Sequence, residues 1–180
     1  MSATGQGPRE PIESVPEFLV HALELEHESA DRYLQLAETM AIHHNQEAAD
    51  LFRHLADMSD AHASEVTARA EGILLPEIAP WDFKWNCPRS PESDCLEGRD
   101  VTYLMTAVQA LELALHNEIR GRDFYAHVAA SSPDARVRAL AGEMAEEEGE
   151  HVELLKDWLA KGNSGDTPVP TDLDPPNIPE

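Results

Sequence analysis

The chain has 180 residues, of which 42% are hydrophobic and 27% are charged, enough apolar material for the core of one domain. Its 13 lysines and arginines face 35 aspartates and glutamates, so the formal net charge is −22. This balance argues against nucleic acid or an anionic membrane as a partner, because both are bound through dense basic patches. The sequence has no apolar run near the roughly 20 residues of a membrane span, and its start lacks the features of a secretory signal, so we expect a cytoplasmic protein.

The first half of the chain predicts two helices joined by a short link. Helix 1 begins at the Ser14–Glu17 segment, where these two residues have the spacing of a capping box, and runs to about His43. Helix 2 begins after Asn45, a suitable N-cap, and ends near Gly72.

The second half predicts two more helices. Asp100 is expected to cap helix 3, which ends near Ala130. Ser132 and Pro133 are expected to be the N-cap and the first residue of helix 4, which ends at Gly162.

Two short links and one long connection predict an all-α four-helix bundle over residues 16–161, with a crossover loop at 73–99 between helices 2 and 3. Residues 1–15 are expected to be a flexible N-terminal segment. Residues 162–180 are acidic and rich in proline, which predicts a disordered tail.

Polar residues interrupt the apolar seams of all four helices near mid-length. They are Glu26, Ser59 with His62, Glu118 (with Arg122 one turn later), and Glu148 with His151. An ionised carboxylate inside a bundle costs several kcal/mol unless a cation or hydrogen bonds compensate it. Each residue alone would suit an exposed helix face, but their coincidence in all four seams favours a metal site.

The spacing of these residues is typical of one kind of metal centre. Glu-x-x-His places both side chains on one helix face, and glutamates combined with Glu-x-x-His helices form the centres of di-iron and di-manganese bundles. The predicted metal ligands are Glu26, His62, Glu118, Glu148 and His151.

An internal repeat supports a two-fold arrangement of ligands. With a shift of 92 residues, helix 1 matches helix 3 at Ala22/Ala114, Leu23/Leu115, Glu26/Glu118, Asp31/Asp123, Tyr33/Tyr125 and Ala37/Ala129. With a shift of 89 residues, helix 2 matches helix 4 at Leu51/Leu140, Ala56/Ala145 and His62/His151. A duplicated helical hairpin places matching ligands on both sides of a central site.

These motifs resemble a known family. The segments ALELEHESADRYLQLA and ALHNEIRGRDFYAHVA resemble the Glu-x6-Tyr helices of rubrerythrin-like proteins in the ferritin-like superfamily, and AGEMAEEEGEHVELL resembles their Glu-x-x-His helix. The resemblance covers about residues 16–161. It implies a ferritin-like bundle in which Glu26 and Glu118 are terminal carboxylates, Glu148 bridges two irons, and His62 and His151 each ligate one.

The resemblance also gives roles to neighbouring residues and shows departures from the family pattern. Tyr33 and Tyr125 would donate hydrogen bonds to the ligands, although both also suit an ordinary core. Ser59 stands where the family has a second bridging glutamate, which Glu65 could partly replace. Arg122 either neutralises a carboxylate or extends to solvent. The sequence contains no rubredoxin-like segment.

The resemblance implies an oxidoreductase that uses one or two irons to act on peroxide or dioxygen, with an external electron donor and as a homodimer. Manganese and zinc stay open as alternative metals. Two other functions stay open as well. An acidic bundle would attract cations, as a ferroxidase or iron-handling subunit requires. Alternatively, Ser59 marks a degenerate bundle with a structural or interaction role.

Overall fold

The computed structural model describes residues 10–85 and 105–162, and all the regular structure in these two ranges is helical. The helices are α1 (Val15–Ile42), α2 (Gln46–Arg69), α3 (Ala107–Ser131) and α4 (Ala135–Gly162). The prediction of an all-α four-helix bundle with a long crossover between α2 and α3 is therefore confirmed. None of the four helices has an apolar stretch long enough to cross a lipid bilayer.

The first two helices begin where the sequence predicts. The Ser14 hydroxyl accepts a hydrogen bond from the backbone of Glu17 at the start of α1, at 3.4 Å. The Asn45 side chain caps α2 by accepting from the backbone of Ala48, at 3.3 Å. α2 ends at Arg69, slightly earlier than predicted, and Gly72 lies in the following turn with φ of +77°, a conformation that glycine adopts without strain.

α3 begins later than predicted, because its cap is Thr106 rather than Asp100. The Thr106 hydroxyl accepts from the backbone of Gln109, and the Gln109 side chain accepts from the backbone of Thr106, which completes a capping box. Asp100 lies outside the described residues.

α4 also begins two residues later than predicted. The Ser132 hydroxyl accepts from the backbone N–H of Asp134 at 3.3 Å and donates to the backbone carbonyl of Ile12 at 2.6 Å, but it lies before the first turn of the helix. Asp134 takes the capping role instead, and its carboxylate accepts from the backbone of Arg136 at 2.8 Å.

The segment before α1 is packed against the bundle. Ile12 is fully buried, and its carbonyl is the acceptor for Ser132. Within the predicted N-terminal segment, over residues 1–15, the part next to α1 thus packs against the bundle. Residues 1–9, like the predicted tail after Gly162, lie outside the described residues.

The described part of the crossover loop packs over the first half of α1. Phe83 and Trp85 are buried and stack with ring centroids 4.5 Å apart, whereas Trp81 is exposed. Both buried rings contact the imidazole of His21 edge-on. Cys87 and Cys95 lie outside the described residues.

His21 itself is fully buried and has a fixed tautomer. Its Nε2 accepts from the backbone N–H of Lys84 at 3.0 Å, so the proton is on Nδ1, which donates to the carbonyl of Glu17 at 2.9 Å. Burial lowers the pKa of this imidazole, against the opposing effect of its bond to Glu17. His21 therefore fixes the crossover to α1 as a neutral residue.

The hydrophobic core consists of two separate clusters, one on each side of a polar layer. One cluster is built from the second half of α1, the first halves of α2 and α3, and the second half of α4, and it includes Tyr33, Met40, Phe52, Leu111 and Leu155. The other is built from the first half of α1, the second halves of α2 and α3, and the first half of α4, and it includes Phe18, Leu25, Val66, Phe124 and Met144. We define the polar layer between them as Glu26, Ser59, His62, Glu118, Glu148 and His151. Its position agrees with the mid-length interruptions in the sequence.

Candidate metal centre

All five predicted ligands converge in the polar layer. His62 Nδ1 lies 3.4 Å from Glu148 Oε1 and 3.7 Å from Glu26 Oε2. On the other side, His151 Nδ1 lies 3.4 Å from Glu118 Oε2 and 3.6 Å from Glu148 Oε2. Each imidazole therefore faces one outer carboxylate, and both imidazoles face Glu148.

These separations suit atoms that share a metal ion. One ligand atom each from His62, Glu148 and His151 lies within 4.8 Å of the other two. Two ligand atoms bound at about 2.1 Å to one tetrahedral ion are about 3.4 Å apart, the value found between each imidazole and its nearest carboxylate oxygen. Carboxylates with imidazoles are a donor set that accepts iron, manganese and zinc.

Two tyrosines hold the outer carboxylates in place. The Tyr33 hydroxyl donates to Glu118 Oε1 at 2.9 Å, and the Tyr125 hydroxyl donates to Glu26 Oε1 at 3.0 Å. Each bond joins one helical hairpin to the other. Because each tyrosine holds Oε1, the second oxygen of each glutamate faces an imidazole. Both tyrosines are the hydrogen-bond donors that the family resemblance implies.

The five side chains differ in their access to solvent. The side chains of Glu26, Glu118 and Glu148 are 2%, 6% and 3% exposed, whereas those of His62 and His151 are 15% and 18% exposed. The two imidazole rings stack at 4.7 Å between α2 and α4. Among the five residues, the histidines thus form the solvent-facing side of the layer.

Glu148 is the most unusual carboxylate. Burial, together with the nearby Glu118 and Glu26, raises its pKa to about 7, although hydrogen bonding to the two histidines acts in the opposite direction. Its Oε2 has no hydrogen-bond partner within 3.5 Å. A buried polar atom without a partner is rare in native proteins and calls for a ligand or a proton.

The two imidazoles respond to the surrounding negative charge. Burial alone would lower their pKa values, but hydrogen bonds to Glu148 and Glu26 raise the pKa of His62 to about 11. Hydrogen bonds to Glu118 and Glu148 raise the pKa of His151 to about 9. The pKa of Glu118 is lowered despite its burial, chiefly by His151. Protons on the imidazoles therefore balance much of the carboxylate charge.

The departures from the family pattern have distinct structures. Ser59 is buried in the layer, and its hydroxyl donates to the carbonyl of Leu55 on its own helix at 3.3 Å. Arg122 pairs with Asp123 at 2.6 Å and is about a third exposed, so it points outward and away from Glu118. Glu65 is exposed on α2, so it is not part of the polar layer and does not replace the missing glutamate.

Sequence reasoning missed an ion-pair group that joins α2 to α4. Arg69 of α2 contacts Glu143 at 2.7 Å and Glu147 at 3.6 Å on α4. Arg69 lies two turns after His62, and Glu147 lies one turn before His151. This spacing places Arg69 and Glu147 on the same helix faces as the two histidines, which is the signal in the sequence that could have identified the group.

Comparison with solved structures identifies a relative of the same fold. No protein-family model and no curated protein matches the chain. The crystal structure of COG1633, an uncharacterized conserved protein from Magnetospirillum magnetotacticum MS-1, is similar with a TM-score of 0.63 and 38% sequence identity. The match covers 88% of this chain and 98% of that chain. At this identity and coverage, the chain belongs to the COG1633 family of conserved proteins.

Proposed function

We propose that the polar layer binds iron and that the protein is a rubrerythrin-like oxidoreductase acting on peroxide or dioxygen. One observation carries this proposal. The buried Glu148 carboxylate lies between two imidazole nitrogens, at 3.4 Å and 3.6 Å, and its Oε2 has no hydrogen-bond partner. A cation at this position would compensate the cost of burying the carboxylate.

Five side chains would hold the metal. Glu26 with His62 would ligate on one side, Glu118 with His151 on the other, and Glu148 would be shared by both. Bound iron would supply the redox chemistry, because none of these side chains exchanges electrons readily. The family resemblance favours iron, while the donor set alone also suits manganese or zinc.

The protein groups have three tasks in this proposal. The hydroxyls of Tyr33 and Tyr125 orient the outer carboxylates and satisfy one oxygen of each. The two apolar clusters keep bulk water away from the layer. The partly exposed imidazoles of His62 and His151 leave access for a small oxidant from the α2–α4 side. An external electron donor would return the centre to its reduced state.

A second candidate is a ferroxidase or iron-handling subunit, which would oxidise iron and pass it on. The net charge of −22 favours this candidate, because an acidic surface raises the local concentration of cations. In that case iron is a substrate of the layer rather than its resident metal.

A third candidate is a bundle without metal that has a structural role. Ser59 favours it, because the layer then contains three carboxylates that two protonated imidazoles largely neutralise.

Metal content separates these candidates. The protein is loaded anaerobically with ferrous iron, desalted, and assayed for iron per chain. About one to two irons per chain supports a metal centre, and retention of none by folded protein contradicts both iron proposals. Stopped-flow mixing of the loaded protein with peroxide then tests the reaction. Repeated turnover with a reductant favours the oxidoreductase, whereas release of ferric iron favours iron handling.

A further inference from the structure

The polar layer follows the internal repeat on both sides except at one position. Tyr33 bonds Glu118 and Tyr125 bonds Glu26, so the two hairpins exchange equivalent hydrogen bonds. His62 and His151 are likewise equivalent and stack against each other. The shift that relates these histidines also relates Ser59 to Glu148, so one central carboxylate has no counterpart.

Ser59 lies on the inner face of α2, where that counterpart would be. Its side chain is 6% exposed and lies one turn before His62, as Glu148 lies one turn before His151. The hydroxyl is bonded to Leu55 of its own helix, and a serine side chain is shorter than a glutamate by the whole carboxylate. The layer is therefore asymmetric in charge and in the volume that side chains fill.

The charge of the layer has a direct consequence for metal binding. With neutral imidazoles, Glu26, Glu118 and Glu148 supply three negative charges. One divalent cation leaves one negative charge in excess, and two divalent cations leave one positive charge in excess. An uncompensated charge in a buried layer costs several kcal/mol, so a second cation is disfavoured unless one more anion enters.

We propose that a small carboxylate from solution, of the size of formate, binds beside Ser59 and completes the layer when two divalent cations are bound. This inference rests on the proposed metal centre. The external carboxylate supplies the charge and the oxygen donors that Glu148 supplies on the other side. Glu148 faces His62 through Oε1 and His151 through Oε2, and its buried Oε2 has no hydrogen-bond partner, so this one carboxylate would have to serve both cations. The ligand must be small, because His62 and His151 are only 15% and 18% exposed.

Manganese binding with and without formate tests this inference without measuring activity. Mn²⁺ is titrated by calorimetry into metal-free wild type, Ser59→Glu, Ser59→Ala and Ser64→Glu. Ser64 is a matched control, because it is exposed on the same helix and its hydroxyl is also bonded to its own helix, to Asp60. In wild type we expect formate to lower the dissociation constant of the second Mn²⁺ by roughly tenfold or more.

The variants give opposite expectations. Ser59→Glu should bind two Mn²⁺ without formate and show no response to it, whereas Ser59→Ala and Ser64→Glu should keep the wild-type response. A second measurement does not depend on the folding of Ser59→Glu: Mn²⁺-loaded wild type should broaden the ¹³C signal of labelled formate far more than an equal amount of free Mn²⁺.

Three outcomes would overturn the inference. If wild type binds Mn²⁺ and formate does not change its affinity, the proposed external carboxylate is contradicted, whereas the proposed metal centre is not. If formate raises the Mn²⁺ affinity of Ser59→Glu as much as that of wild type, the anion does not bind beside Ser59. If folded wild type binds no Mn²⁺ and retains no ferrous iron, both this inference and the proposed function fail.

Discussion

The imidazole rings of His62 and His151 stack with their centroids 4.7 Å apart and their planes 12° from parallel. The two rings come from different hairpins, and each directs Nδ1 towards the buried carboxylates. Both rings carry protons at neutral pH, because the carboxylates raise the pKa of His62 to about 11 and that of His151 to about 9. A metal ion at this place would replace those protons.

Metal binding should therefore release protons. Ligands must be deprotonated, so binding at pH 7 should release about two to three protons per fully loaded chain, two from the histidines and a fraction of one from Glu148. Metal affinity should rise with pH through the raised pKa of His151, about 9, and on towards that of His62, about 11. Calorimetry with Zn²⁺ in two buffers of different ionisation enthalpy measures the proton count. The absence of any buffer dependence would contradict the assignment of these histidines as ligands.

The substitution Glu148→Gln should abolish stable metal binding. Glutamine keeps the shape of the side chain but loses the charge that faces both His62 and His151. We expect retention of ferrous iron to fall to about a tenth of the wild-type value or less. Glu146→Gln is the control, because Glu146 is exposed on the same helix and should leave retention unchanged. Equal losses in both variants would show that α4 charge in general, rather than Glu148, governs binding.

Loss of either tyrosine hydroxyl should destabilise the bundle to a similar extent. Tyr33→Phe and Tyr125→Phe each remove one hydrogen bond from a buried carboxylate, at 2.9 Å and 3.0 Å, which should cost about 1–3 kcal/mol of unfolding free energy. Urea unfolding of the metal-free protein measures this cost. In a double-mutant cycle, Tyr33→Phe should have little further effect once Glu118 is replaced by alanine, which leaves no acceptor for the hydroxyl. Additive effects would mean that the hydroxyl stabilises something other than Glu118.

The neutral His21 should make the protein less stable in mild acid. The pKa of His21 in the folded protein lies below the ordinary value of 6.5, so in mild acid this histidine is protonated more in the unfolded chain than in the folded one. Stability should fall as pH drops below 6.5, by at most about 1.4 kcal/mol per pH unit from this residue. The histidines of the polar layer have the opposite sign, since their stabilising effect is lost as pH rises through 9 to 11.

Comparison with His21→Phe isolates the contribution of His21, because the other histidines are common to both proteins. Urea unfolding at pH 7.5 and 5.5 should show a smaller pH effect in the variant, although its absolute stability will be lower. An identical pH effect in both proteins would mean that His21 is not neutral in the folded state.

Arg69 should slow the entry of cations along the α2–α4 side. It neutralises Glu143 and Glu147 on α4, and Glu147 lies one helical turn before the partly exposed His151. Arg69→Gln should raise the association rate of Co²⁺ several-fold at low salt, and the difference should vanish at high salt. Stopped-flow absorption of Co²⁺ measures this rate. Arg53→Gln, which breaks an exposed pair with Asp50 on the same helix, should have a smaller effect if entry is local.

The sequence predicted the polar layer well because its signal is local and strong. A glutamate such as Glu26 or Glu148 within an apolar seam needs compensation, and helical spacing alone places it inside. Two helix starts were predicted wrongly because their determinants are tertiary or ambiguous. Ser132 accepts from the backbone N–H of Asp134, but its hydroxyl also donates to Ile12, over a separation that no local pattern reveals, and Asp134 caps the helix itself. Thr106 and Gln109 form the capping box of α3, but Asp100 is an equally suitable cap by residue type, so the sequence alone does not choose between the two starts.

Other features depended on contacts across the molecule. The repeat gave the equivalence of Tyr33 and Tyr125, but only the folded bundle shows that each bonds the glutamate of the opposite hairpin. The sequence alone did not show whether Arg122 neutralises a carboxylate of the layer or extends to solvent, and its ion pair with Asp123 shows that it points outward.

The division of the hydrophobic core into two clusters has a consequence for how the molecule unfolds. Each end of the bundle has its own apolar contacts, and the polar layer is what joins them at mid-length. Cooperativity between the two ends therefore depends on the charge state of this layer rather than on continuous apolar packing. Cations bound in the layer would link the four helices at mid-length. In hydrogen-exchange measurements, backbone amides at both ends would then exchange in a single opening event instead of two.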